Sequence, residues 1–227
     1  MLRRTSKPTL ETQKGFSIIE LIIVVLIISI LSILAFLSFK APKKYLADTQ
    51  AYQIVDILYE ARQRALTQHE TMRVEIDQTR NIIRLISENE AGNANDDKEI
   101  KSLKLESPRD VVVGNPPKNV ASYPTELSPT PTLTFKPSVY PSSKSDVVGT
   151  LRFTTSGRVL DAGSNAVGDN STMTGATIYV WMPDYSTSGQ PLQTGTIIRA
   201  ITVQGTSGLA SYWKCAVNGT TCDNWSQ

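Results

Sequence analysis

The sequence is poor in the residues that build metal centres and acid–base active sites. Its 227 residues include one histidine and two cysteines, and Cys215 and Cys222 do not form a C-x-x-C pair. A zinc site needs clustered cysteine and histidine ligands and is therefore not expected. Phosphate-binding glycine loops and G-x-S-x-G nucleophile motifs are also missing from the sequence. These absences predict a protein that is not an enzyme and that uses no metal or other cofactor.

A strong net charge of either sign is also lacking. The 23 basic and 21 acidic residues give a formal charge of +2. Residues 1–15 contain four basic residues and one acidic residue, a net of +3, so the chain beyond them would carry 2 − 3 = −1. This balance provides no overall basic surface for nucleic acid. Nucleic-acid binding is therefore not expected, although a local basic patch would still allow it.

Charge is missing altogether from one long stretch. Leu21 to Phe39 are nineteen uncharged residues, and at about 1.5 Å per helical residue they match the ~30 Å hydrocarbon core of a bilayer. No glycine or proline interrupts the chain between Phe16 and Phe39, which favours a straight helix. The basic residues before this run keep the N-terminus cytoplasmic under the positive-inside rule, so that the C-terminal part is translocated.

The string Lys14-Gly15-Phe16-Ser17-Ile18-Ile19-Glu20, followed by this apolar run, resembles the class III signal of type IV prepilins and type II secretion pseudopilins. The resemblance implies cleavage by prepilin peptidase between Gly15 and Phe16, N-methylation of Phe16, and assembly of a helical filament. It also implies that Glu20 pairs with the Phe16 amine of a neighbouring subunit. Two alternatives stay open, namely an uncleaved signal anchor and a Glu20 side chain that only extends to the lipid headgroups.

The same resemblance implies a location and a set of partners. A prepilin of this kind spans the bacterial inner membrane once, with its C-terminal domain in the periplasm, and then enters a pilus or pseudopilus. Its partners would be other pilins or pseudopilins and an inner-membrane assembly platform.

The chain divides by pattern into four parts. They are a leader at 1–15, a transmembrane and filament-core helix at 16–41, an amphipathic half of the helix at 42–70, and a β-rich globular domain at 71–227. Pro42 permits a kink where the helix leaves the membrane. The amphipathic half carries apolar residues on one face, which we expect to pack against a sheet: Ala47, Ala51, Ile54, Leu58, Ala61 and Ala65. His69 is expected near the end of this helix.

From Met72 the hydrophobic period changes to two, as in strands. The predicted strands are 72–77, 80–87, 100–106, 111–113, 147–154, 177–182, 197–203 and 209–213. Eight of the twelve prolines lie between Pro108 and Pro141, which excludes a central strand or helix there. We therefore expect a Pro-rich insertion at about 107–145, extended and wrapped on the surface.

The helix run Leu58 to Ala65 and the order of the C-terminal strands resemble the GspH/FimT branch of minor pilins and pseudopilins. This resemblance implies an α+β, pilin-like fold in which a long N-terminal helix packs on an antiparallel β-sheet domain. It also implies a structural minor subunit near the filament tip. The alternative is a competence or adhesive minor pilin that binds DNA or a surface. Some members of this branch bind DNA through arginines near the last hairpin. Residues 205–213 of this chain contain no arginine, and the nearest basic residues are Lys214 and Arg199. A rival outside the family is an uncleaved membrane-anchored enzyme or binding module.

The C-terminal end presents two further candidate features. If this part leaves the cytoplasm, Cys215 and Cys222 are expected to form a disulfide that closes a small loop, the alternative being two free thiols. The aromatic residues around that loop either pack on it or form a small adhesive patch: Tyr212, Trp213 and Trp225. Acidic and amide residues between 161 and 170 suggest a calcium loop, but their spacing departs from an EF-hand and favours a solvated loop: Asp161, Asn165, Asp169 and Asn170.

Overall fold

The computed structural model describes residues 17–38, 44–88, 95–117, 120, 131–160, 175–183, 196–218 and 221–227. The chain forms two compact units, Met1–Ala41 and Pro42–Gln227. Residues 39–43 lie outside the described ranges, and with them lies the expected kink at Pro42.

The first unit contains one helix, α1 (Ile18–Ser38), in its described part. Apart from Glu20 and three serines, its residues are apolar, as the uncharged run predicts. Among the residues whose side chains are described, no helix combines the length and the apolarity needed to cross a membrane.

The second unit begins with α2 (Lys44–Gln68). The six residues predicted to share one apolar face, from Ala47 to Ala65, are all fully buried. His69 follows the helix directly in the left-handed conformation, with φ 56°, which is the usual geometry of the residue that ends a helix. The amphipathic pattern therefore correctly predicts both the buried face and the end of α2.

Eleven described strands follow α2 and form two antiparallel sheets. They are β1 (Thr71–Asp77), β2 (Ile82–Glu88), β3 (Lys98–Lys104), β4 (Val112–Gly114), β5 (Lys136–Pro137), β6 (Val147–Phe153), β7 (Val159–Leu160), β8 (Ala176–Trp181), β9 (Ile198–Val203), β10 (Ala210–Asn218) and β11 (Thr221–Ser226). The first sheet has the order β3-β2-β1-β6-β5, with β7 also paired to β6, and the second has the order β11-β10-β9-β8-β4.

The eight predicted strands are all present, with ends that differ by up to a few residues. The exception is β10, which continues to Asn218 instead of ending at Trp213 and pairs with a strand that the sequence does not predict, β11. The β11 sequence, TCDNWS, has no alternation of apolar and polar residues, and its pairing with β10 contains a register shift between Ala216 and Val217.

The core lies between α2 and the two sheets. Helix α2 contacts β1, β2 and β6 of the first sheet and β8, β9 and β10 of the second. Side chains from both sheets and from α2 form one buried apolar cluster. A helix packed on an antiparallel sheet domain is the α+β, pilin-like arrangement that the resemblance implies.

The Pro-rich insertion contributes to the interior, which corrects the expectation that it wraps on the surface. Leu133 and Tyr140 are each only 1% exposed. The Leu133 N–H donates to the Thr177 carbonyl of β8 at 2.8 Å, whereas Pro137 lies in β5, which pairs with β6 at the edge of the first sheet. Proline is tolerated on an edge strand. The segment 131–145 therefore connects an edge of one sheet to the other sheet, and it brings two large side chains into the interior.

Candidate assembly site and C-terminal disulfide hairpin

The carboxylate predicted to direct assembly lies in the first turn of α1. The Ser17 carbonyl accepts hydrogen bonds from the Glu20 N–H at 3.0 Å and from the Leu21 N–H at 3.2 Å, so the helix starts at this point. Glu20 is exposed and close to the positive end of the helix dipole, which favours a carboxylate. Gly15 and Phe16 lie outside the described residues. Their cleavage and methylation, and the pairing of Glu20, therefore stay predictions.

The described surface of α1, from Ile18 to Ser32, is mostly apolar. The aliphatic side chains from Ile18 to Leu31 are about 50–80% exposed, including Ile18 at 81% and Val24 at 47%. Ser29 and Ser32 donate their hydroxyls to the carbonyls of Val25 and Ile28, each at 2.7 Å. These polar groups are thus satisfied within the helix, as a lipid or helix-bundle environment requires.

The N-terminal turns of α2 are anchored to the second sheet by a polar cluster. Asp48 accepts hydrogen bonds from the Arg199 guanidinium of β9 and from the Tyr212 hydroxyl of β10 at 2.7 Å. Burial raises the pKa of Asp48, but the hydrogen bonds from Arg199 and Tyr212 outweigh it and lower that pKa overall. Burial of the Tyr212 hydroxyl, together with its hydrogen bond to Asp48, raises the pKa of Tyr212. Asp48 is therefore a negatively charged tether between helix and sheet.

This tether also bears on DNA binding. Arg199, one of the two bases near the last hairpin, is 5% exposed and paired with Asp48. Lys214, the other, is exposed on β10. One exposed lysine is a small fraction of the phosphate contacts that DNA-binding proteins make, so the described part of the hairpin presents no cluster of accessible basic residues to DNA.

The C-terminal hairpin carries the predicted disulfide. Cys215 of β10 and Cys222 of β11 are bonded, with their Cα atoms 6.0 Å apart. Cys222 is fully buried and Cys215 is 7% exposed. The bond joins β11 to β10 covalently and so holds the edge of the second sheet.

The aromatic residues of this hairpin mainly pack. Trp213 is 6% exposed and donates its indole N–H to Thr202 Oγ1 at 2.9 Å. Trp225 packs against a cluster that includes both cysteines, and its ring centroid lies 6.3 Å from that of Tyr179. Both tryptophans thus pack around the disulfide, which is the first of the two predicted arrangements. The suggested calcium loop at 161–170 lies outside the described residues.

A layer of buried charge on the first sheet is a feature that sequence reasoning missed. Arg73 of β1 donates to Glu75 at 2.8 Å, to Glu88 of β2 at 2.6 Å and to Asp97 at 2.6 Å. The Tyr140 ring covers this guanidinium, with 3.6 Å from Arg73 Cζ to the ring centroid. Arg73 and Glu75 are fully buried. The insertion therefore covers a charged face of the sheet that would otherwise be open to water.

Two more arginines extend this layer. Arg152 of β6 binds Glu88 Oε2 through Nη2 at 2.5 Å, and Arg84 of β2 binds Glu75 Oε2 at 2.8 Å. Burial raises the pKa of Tyr140 to about 12, and the negative charge of Glu88 adds to this effect. The sequence signal was the alternation on β1, where Met72, Val74 and Ile76 face α2 and Arg73, Glu75 and Asp77 face the other way. Such alternation is typical of a solvent face, so it gave no sign of burial.

The comparisons with known proteins identify the N-terminal segment. A family model described as the prokaryotic N-terminal methylation motif matches residues 12–36. No curated protein and no solved structure matches the chain. The matched residues include Gly15, Phe16 and Glu20 and most of the apolar run. Joined to a helix and an antiparallel sheet domain, they lead to one conclusion: the chain carries the N-terminal methylation motif typical of type IV pilins and pseudopilins.

Proposed function

We propose that the protein is a structural minor pilin or pseudopilin of the GspH/FimT type and not a catalyst. Prepilin peptidase would cut it after Gly15, and Phe16 would become the N-methylated end of the mature chain. The observation that carries the proposal is the methylation motif over residues 12–36, which includes most of α1, a helix whose described aliphatic side chains are exposed.

The exposure of α1 supports insertion in the bacterial inner membrane followed by assembly. Exposed apolar surface is unfavourable in water by roughly 25 cal/mol per Å², so this helix needs lipid or other helices around it. In the proposed waiting state, α1 is a single membrane span and the second unit is periplasmic. In the filament, which is a type IV pilus or a type II secretion pseudopilus, α1 would exchange lipid for the helices of neighbouring subunits. A non-closing, head-to-tail contact of this kind builds helical filaments.

The role proposed for Glu20 follows from its position. An ionised carboxylate beside an apolar helix is costly without a partner. The Phe16 amine of a neighbouring subunit would provide the opposite charge and thereby set the axial register. Minor subunits of this class sit near the tip and prime assembly, and the insertion with its segment 131–145 would then give this subunit a surface of its own.

Mass spectrometry of the native N-terminus tests the class. A mature chain that begins with methylated Phe16 is the expected result, whereas a functional native protein that retains residues 1–15 would contradict the proposal.

The assembly step is tested by Glu20→Ala, with Glu20→Asp as the charge-preserving comparison and Glu99→Ala as an exposed acidic control on β3. We expect Glu20→Ala to be processed like the wild type but to enter sheared filaments poorly, while the control enters normally. Normal incorporation of Glu20→Ala would sink the proposed pairing.

A further inference from the structure

The first turns of α2 and the adjacent part of β10 expose tyrosines and a lysine together. Tyr45 is 65% exposed and Tyr52 is 50% exposed. The Tyr52 ring centroid lies 4.8 Å from that of Tyr212, and Lys214 Nζ lies 5.7 Å from the Tyr212 ring centroid. We call these four residues, Tyr45, Tyr52, Tyr212 and Lys214, the aromatic–basic patch.

The charge of this patch is positive. Asp48, the carboxylate that accepts the Tyr212 hydroxyl, is already neutralised by Arg199. Within the described part of the chain, no ion pair involves Lys214, which is exposed. The patch therefore combines amphipathic aromatic rings with one exposed cation.

We propose that the aromatic–basic patch rests on the anionic phospholipid headgroups of the membrane while α1 is inserted. The inference depends on the proposed function, because it needs α1 in the bilayer. Tyrosine is enriched at the membrane–water interface, where the ring contacts acyl chains and the hydroxyl stays hydrated. Lysine near an anionic surface adds electrostatic attraction. Both side-chain types on one patch match a headgroup layer.

Chain connection limits the distance between the end of α1 and the start of α2. Helix α1 ends at Ser38 and α2 begins at Lys44, so the six Cα–Cα steps between them reach at most about 23 Å. Tyr45 is the second residue of α2. Membrane insertion of α1 would thus place the start of α2 within reach of the headgroups without any further partner.

Tyr59 provides a control within the same helix. It lies on the line of Tyr45 and Tyr52, with the same spacing of seven residues, and is 45% exposed. Its hydroxyl donates to the Ala210 carbonyl at 2.8 Å. Along the helix it is about 21 Å from Tyr45 and about 10 Å from Tyr52, so it lies outside the aromatic–basic patch. Headgroup contact confined to the patch would therefore reach Tyr45 and Tyr52 but not Tyr59, whereas a helix that packs along α2 would contact all three.

The test uses the full chain reconstituted in two kinds of vesicle, one that contains the anionic lipid phosphatidylglycerol and one made of phosphatidylcholine alone. Tyr45→Cys, Tyr52→Cys and Tyr59→Cys are each labelled with an environment-sensitive fluorophore, and the vesicles carry a headgroup-level nitroxide lipid as quencher. We expect stronger quenching at positions 45 and 52, which belong to the patch, than at position 59, and stronger quenching with phosphatidylglycerol than with phosphatidylcholine. Lys214→Ala should lower the association of the patch with phosphatidylglycerol roughly fivefold, as followed by quenching at position 52, and high salt should have a similar effect.

Three results would overturn the inference, and they are distinguishable. Equal background quenching at all three positions, in a chain that resists carbonate extraction, refutes the headgroup contact but leaves the proposed function standing. Equal protection at all three positions that appears only after another pilin is added assigns the patch to a protein interface. Release of the chain by carbonate shows that α1 is not inserted, and then both proposals fail.

Discussion

The buried charge layer makes a quantitative prediction for Glu88→Gln. Glu88 is 4% exposed and accepts hydrogen bonds from Arg73 at 2.6 Å and from Arg152 at 2.5 Å. Glutamine keeps the shape and one acceptor oxygen, but it replaces the other oxygen by an amide that must face guanidinium donors. Two buried arginines thus lose their shared counter-charge.

The free energy of unfolding should fall by about 3 kcal/mol. Removing the charge of one partner of a buried ion pair costs roughly 3–5 kcal/mol, and glutamine retains part of the hydrogen bonding. The assay is urea unfolding of residues 42–227, the unit that contains all the described core residues. With a slope of roughly 2–3 kcal/mol/M for a unit of this size, the midpoint should fall by about 1–1.5 M.

Two further variants make the prediction refutable. Glu99→Gln removes a carboxylate from an exposed position on β3 and should change stability by less than about 0.5 kcal/mol. Arg152→Met in the Glu88→Gln background should restore part of the loss, because one uncompensated cation is gone, and the double-mutant cycle should give a coupling of about 1 kcal/mol or more. A midpoint shift below about 0.3 M for Glu88→Gln would refute the idea that this charge layer is buried and tightly paired.

Three other predictions follow from local geometry. Replacing both Cys215 and Cys222 by alanine should cost about 2.5 kcal/mol by loop-entropy arithmetic and should accelerate amide exchange in β11, while unchanged exchange there would contradict the tether. Gly208 has φ 65°, and an added Cβ would lie 2.1 Å from the Gly157 carbonyl oxygen. Gly208→Ala should therefore lower the free energy of unfolding in urea by about 2–4 kcal/mol. Leu209→Ala, at the exposed neighbouring position, is the control. The pKa of Asp48 is lowered in the folded protein, so its ionised form contributes stability at pH values above the ordinary pKa of 3.8, and this contribution is lost as the pH falls through the folded pKa. The difference in unfolding free energy between wild type and Asp48→Asn should therefore be constant near neutral pH and shrink in acid. A difference that does not change with pH would show that the ion pair contributes nothing.

Much of the fold was predictable because local patterns and burial agree. The buried face of α2 follows from small and apolar residues at helical spacing, and the eight predicted strands follow from alternation in sequence. The assembly motif was predictable for another reason. Glu20 and the uncharged run beside it are adjacent in the chain, so no tertiary contact is needed to detect them.

The aromatic–basic patch was only half visible in the sequence. Its helical members are exposed positions between buried ones, whereas Tyr212 and Lys214 lie more than 150 residues further along the chain. Only the packing of α2 against β9 and β10 brings Tyr212 next to Tyr52, with Lys214 beside the Tyr212 ring. The strand β11 was missed because its residues pair with β10 through backbone hydrogen bonds and a disulfide, and neither leaves a periodic signal.

The sequence alone determined the motif of residues 12–36, the apolar character of α1, the core face of α2 and the cysteine pair, because each of these depends on residues close together in the chain. The tertiary structure alone decided that the charged side of β1 is interior. Alternating charges predict a solvent face until something covers them, and the cover is Tyr140 and its neighbours in the Pro-rich insertion, some seventy residues away. Burial is a property of the whole surface around a side chain, so a strand's own pattern cannot specify it when the covering segment comes from elsewhere.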